Sequence, residues 1–121
     1  MNLIGSWRWV KSCHFPNGNE RCTWADEVEE RHRYHVFNED GTFTLVINGG
    51  IEHKAEYRVV KKENVLSNRM AWILEIDGLG DHTFSFRHPD SLFMGLIAFD
   101  GGYSCLVRTA ETDFESGRDD D

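Results

Sequence analysis

Six histidines and three cysteines are the residues whose types suit metal or haem chemistry. His32 and His35 stand three apart in RHRYH. On a strand, residues three apart point to opposite faces, so the two do not converge. His53 shares a strand face with Tyr57, and His82 and His88 flank HTFSFR. Structural zinc needs four converging donors and catalytic zinc three. Spacing supplies no such set and there is no C-x-x-C pair, so surface or satisfied core histidines are expected, with no metal. A haem-holding barrel would need one interior axial histidine, for which His53 is the candidate; no cofactor is expected. Cys13, Cys22 and Cys105 are odd in number, which argues against a disulfide framework. Three free, reduced thiols are therefore expected, although Cys13 and Cys22 flank HFPNGNER and could meet across that loop. Cys105 lies within a strand pattern, where an inert thiol is the default. The chain has no G-x-S-x-G, no H-E-x-x-H and no phosphate-cradling glycine loop, and catalysis is not expected.

The richer signal is aromatic. Trp7, Trp9, Phe43, Tyr57, Trp72, Phe84 and Phe86 fall on the apolar side of alternating segments. IEHKAEYRVV places Ile51, His53, Ala55, Tyr57 and Val59 on one face and charges on the other. A period of two with charge on one side marks a half-buried strand. TFTLVIN sets Phe43, Leu45 and Ile47 together; RMAWILEID does so for Met70, Trp72, Leu74 and Ile76. LFMGLIAF is apolar on both faces, as in a central or covered strand. Turn signals at PNGN, NEDG, NGG, KKEN, DGLGD, HPDS and DGG separate these runs. Such spacing belongs to a sandwich or barrel. TWADEVEER is the best candidate for a short helix, with its acids in the first turns.

IGSWRWVK opens the first strand, with Trp7, Trp9 and Lys11 on one face and Gly5 free to bend just before them. Gly-x-Trp at Gly5 and Trp7, the run F-x-x-D-G-T-F from Phe37 to Phe43, and LVR ending at Arg108 resemble the lipocalin (calycin) superfamily. The resemblance spans roughly residues 3–109. It implies an all-β fold, an antiparallel up-and-down barrel of eight or more strands with at most one short helix. It implies that Arg108 packs over Trp7 beside Gly5 and closes one end. A guanidinium over an indole contributes about 0.5–2 kcal/mol.

The 121 residues divide into a barrel over 1–110 and an acidic tail over 111–121. The tail carries six acids against one arginine, so it supplies most of the net charge of −8, and disorder is expected there. Nucleic acid is excluded by the lack of clustered Lys and Arg. No apolar run reaches the ~20 residues of a membrane helix. Trp7, Arg8 and Lys11 interrupt any leader-like stretch, so a cytoplasmic protein is expected. An eight-stranded barrel is wide enough to be filled by side chains or to hold one small ligand. The first function expected is therefore binding of a small apolar ligand, without catalysis, by Tyr57, Trp72, Phe84 and Phe86 at the end away from Trp7. The alternative is a filled barrel that binds a protein partner, as an inhibitor or toxin-immunity protein does, through rim loops and acidic surface. Oligomeric state is not legible.

Overall fold

Nine strands, β1 Gly5–His14, β2 Arg21–Trp24, β3 Arg33–Phe37, β4 Thr42–Ile47, β5 Gly50–Asn64, β6 Arg69–Ile76, β7 Gly80–His88, β8 Ser91–Leu96 and β9 Tyr103–Thr109, make up the computed structural model. It describes residues 2–28, 32–97 and 102–109. The acidic tail lies outside those residues, as do positions 29–31 of the helical candidate. Its described part is the end of β2 and a single 3₁₀ turn, Ala25–Glu27.

Every strand pairing is antiparallel, and neighbours in sequence are neighbours in space from β3 onward. β9 returns to pair with β1, from Ser6 opposite Thr109 to Cys13 opposite Tyr103. β3 takes the first half of β1's other edge and β2 the second half. The result is a closed eight-stranded up-and-down barrel, β1 with β3 to β9, on which β2 is a flap. Closure removes the unpaired edges that would template aggregation.

The turns explain why the meander forms. In F-x-x-D-G-T-F, the Asp40 carboxylate accepts the Thr42 amide at 3.0 Å and the Thr42 hydroxyl at 2.6 Å. Those two donors hold Asp40 below the usual carboxylate range. The Tyr57 hydroxyl donates to the Asn38 carbonyl at 3.0 Å and ties β5 to the same turn.

The core fills the interior towards the end where β1 begins. Trp7, Phe37, Phe43, Leu74, Leu92 and Leu106 are its most completely buried large apolar side chains. The expected alternation holds for Phe43, Leu74 and Ile76, and it fails where the pairing shifts. A bulge between Trp9 and Lys11 inverts the parity of β1. Lys11 therefore leaves the face it was expected to share with Trp9 and lies outside, over the Trp24 ring at 4.7 Å. Ser12 takes its place inside, accepting the Trp9 indole N–H at 2.8 Å. A second shift, between Leu45 and Val46, turns Ile51 out of the inward row, leaving it 66% exposed.

The cysteine expectation is corrected. Cys13 and Cys22 are register partners across β1 and β2, and they form a disulfide. The sequence hid this because β2 is only four residues long. Cys105 alone remains a thiol. Thiol titration of denatured protein, alkylated rapidly on lysis, is expected to return one group, and reduction should cost about 2–3 kcal/mol of stability through loss of the loop constraint. A count of three would mean that the bridge does not form.

Candidate functional site

Gly5, Trp7 and Arg108 meet at the end of the barrel where β1 begins. Arg108 and Trp7 are register partners on β9 and β1. The guanidinium sits over the indole, 4.3 Å from the ring centre. Its Nη1 donates to the Ile4 carbonyl at 2.9 Å and its Nη2 to the Asn2 carbonyl. Trp7 donates its own N–H to the Leu3 carbonyl at 2.8 Å. Gly5 has φ +130°, and a Cβ there would stand 2.8 Å from Nη1 of Arg108. Both the backbone angle and the space therefore require glycine.

The opposite end is differently furnished. A cavity of about 360 Å³ lies among the end of β1, the start of β9 and the inner faces of β3, β7 and β8. Its polar wall is Ser12, Ser104, His35 and His82, and Met94 and Leu96 are apolar lining. The Ser12 and Ser104 hydroxyls bond each other at 2.7 Å. Two hydroxyls have two protons, and their mutual bond uses one. Because the Trp9 N–H occupies an acceptor site rather than a proton, one serine proton remains available for the cavity.

His35 stands on β3 between Trp7 and Leu45 and meets the edge of Phe43, with ring centres 5.7 Å apart. His82 pairs with Leu74 and Leu96. In both rings Nδ1 is buried and has no hydrogen-bond partner among the described residues. Desolvation pushes the His35 pKa down to about 3, helped by the positive charge of Arg33 and by His82. Burial lowers that of His82 as well, against a hydrogen bond to the Gly80 backbone and the nearby Asp81 charge. Both imidazoles are thus held neutral at neutral pH. They offer this cavity hydrogen bonds, not charge. Among the described residues, the cluster with three metal-type donors is Cys13, Glu20 and Cys22. Its two sulfurs are joined to each other, so it presents no thiolate to an ion.

The residues expected to bind ligand are placed elsewhere. Tyr57, Phe84 and Phe86 pack against the core, with Phe86 6.0 Å from Trp7 and Tyr57 5.1 Å from Phe37. Trp72 is 58% exposed, opposite Lys61 on the far part of the β5–β6 hairpin. There β6 has passed the end of its pairing with β7, which runs only from Leu74 to Ile76. None of the four borders the cavity. His53, the axial candidate, bonds the Asp77 carbonyl at 2.7 Å and lies against Gly78. It braces the β6–β7 turn. His82 was legible, since it alternates with Phe84 and Phe86. Ser12 was not, because nothing in WRWVKS announces a bulge.

Comparison with protein-family models, curated proteins and solved structures finds no match.

Proposed function

We propose that this protein is a lipocalin-like carrier that holds a small molecule in the cavity opposite the Trp7–Arg108 plug, without catalysis. The observation that carries this reading is the pair of unpartnered imidazole nitrogens on the wall of a 360 Å³ cavity. Buried polar atoms almost always have a partner, and ligand sites combine apolar walls with a few placed polar groups in volumes of roughly 300–1,000 Å³. The ligand that fits has an apolar body for Met94 and Leu96 and one or two neutral polar groups for His35, His82 and the serine pair. Neutral imidazoles lend no charge to an anion there.

Trp9 reports on this site, because its N–H bonds the serine that lines the cavity. A panel of small aromatic alcohols and amides, read by tryptophan fluorescence and melting temperature, is expected to contain binders. His82→Phe should weaken them at least tenfold, about 1.4 kcal/mol, by filling space and removing a polar partner. Trp72→Phe should leave them unchanged. If no member of the panel binds, or if Trp72→Phe abolishes binding, the cavity is not the site.

A second reading has its own support. Met70 and Trp72 are 61% and 58% exposed on one face of the β5–β6 arm, and Val65 and Leu66 are exposed at its tip. Contiguous apolar surface of this kind suits a protein partner. It takes over if the ligand panel fails.

No helix among the described residues is long and apolar enough to cross a membrane. The disulfide favours an oxidising compartment over the cytoplasm expected from the sequence.

A further inference from the structure

A second concavity, of about 540 Å³, runs over the outer face of β1, β9, β8 and β7. Lys11, Arg87, His88, Phe93, Tyr103 and Cys105 form its lining. Over most of its length the sheet separates it from the barrel cavity, and Tyr103 borders both: Lys11 and Cys105 are register partners on the outer face, while their neighbours Ser12 and Ser104 face in.

Its charge is at odds with that of the chain. Acids outnumber Lys and Arg by 21 to 13, and several cations elsewhere pair with carboxylates. Arg58 pairs with Glu75 and Asp77, and Lys62 with Glu75 and Asp81. Lys11, Arg87 and His88 form no ion pair with a described carboxylate. The acids at the rim are engaged by other groups. Glu20 accepts the Tyr103 hydroxyl at 2.9 Å, and Asp90 lies 3.4 Å from the Arg108 guanidinium. The cations rest on rings: Arg87 is 4.9 Å from the centre of Phe93, and Lys11 is over Trp24. Phe93 and Tyr103 stack face to face, with their centres 4.5 Å apart and their planes 20° from parallel, so they stand side by side and offer ring edges to the groove.

We infer that this outer groove is a second binding site, for a small ligand that joins an anionic group, carboxylate or phosphate, to a flat apolar body. The anion is drawn to the Lys11 ammonium and the Arg87 guanidinium, with the His88 ring beside them. The flat part lies across the edges of the Phe93–Tyr103 stack, an edge-to-face arrangement, with the Arg87 guanidinium beside it. A fork of guanidinium donors suits a planar carboxylate or a phosphate. The site needs no part of the barrel interior, so it stands whether or not the cavity binds anything.

Naphthalene-2-carboxylate and 2-naphthylmethanol share the ring system and differ in charge. Calorimetric titration of the full chain should show the carboxylate binding at least tenfold tighter. Lys11→Gln with Arg87→Gln should erase that difference and leave the alcohol unchanged. Raising salt from 50 to 500 mM should weaken the carboxylate alone, since exposed charges are screened. Cys105 locates the ligand: saturating carboxylate should slow alkylation of its thiol by iodoacetamide in the wild type and not in the double variant. Equal affinity for the two compounds overturns the inference. So does a carboxylate preference that survives the double substitution, or tight binding that leaves alkylation at Cys105 unaffected, which would place the ligand in the barrel.

Discussion

Trp7→Ala is expected to lower the free energy of unfolding by about 3–5 kcal/mol, the cost of truncating a fully buried large aromatic. The ring has no exposed surface, and it touches four things at once. It anchors the start of β1 by donating to Leu3 and supports the Arg108 guanidinium. It also meets Phe86 from β7 and belongs to the core cluster with Phe37 and Leu106. Removing it opens a cavity and also deprives a part-buried cation of its partner, so the cost belongs at the upper end. Arg108→Ala should cost less, about 1–3 kcal/mol, because it opens no core cavity and loses two hydrogen bonds to backbone carbonyls, one of them exposed. Arg108→Lys should recover only part of that, since an ammonium lacks the planar fork that reaches both Asn2 and Ile4. Urea unfolding of the three variants measures the order. If Trp7→Ala costs under 1 kcal/mol, the plug is not what holds the barrel shut.

The closed end was suggested by the resemblance carried by Gly5, Trp7 and Arg108. Gly5, Trp7 and Trp9 precede the shift in β1, so alternation fixes their faces there, whereas periodicity alone could not bring Arg108 to Trp7 from the far end of the chain. The opposite end was not readable, for a reason located at a single residue. The bulge after Trp9 moves Lys11 outward and Ser12 inward, and with that shift the cavity acquires its hydroxyl pair while the outer groove acquires its lysine. A bulge is set by pairing with a distant strand, here β9, and leaves no mark in the strand that carries it. Trp72 shows a different limit. Alternation placed it correctly on the face of Leu74 and Ile76, but burial needs a neighbour across the seam, and the β6–β7 ladder stops two residues short of it. Period fixes a side chain's direction; the length of the neighbouring pairing decides whether anything is there to cover it. The disulfide was hidden by the same non-local logic, in a strand too short to show a period.

Stability should fall between pH 6.5 and 5, with His35 as a main cause. Folded His35 takes a proton only near pH 3, because its burial among apolar groups, and then Arg33 and His82, oppose the charge. Unfolded, it titrates near 6.5. Between those values the unfolded chain binds more protons than the folded one, so stability rises with pH across the window and is lost as pH falls. Each pH unit inside the window costs up to about 1.4 kcal/mol per histidine, or about 2 kcal/mol from pH 6.5 to 5. His82 is shifted in the same direction and adds to the slope. Asp40 and Glu75 are held below the ordinary carboxylate range, so their contributions are lost only as pH falls through still lower values. Keeping above pH 5 therefore separates the histidines from the carboxylates. His35→Gln removes the titrating ring while keeping a polar group at the cavity wall. Urea unfolding at pH 6.5 and 5 should show a shallower loss in this variant by about 1–2 kcal/mol. In the wild type, the His35 ring resonances should stay at their neutral positions down to pH 5. Parallel losses in the two proteins, or a His35 ring that titrates near 6.5 while folded, would mean that the ring is open to water. The cavity wall would then present an imidazolium at mildly acid pH, and the ligand suited to it would be an anion in place of the neutral molecule proposed above.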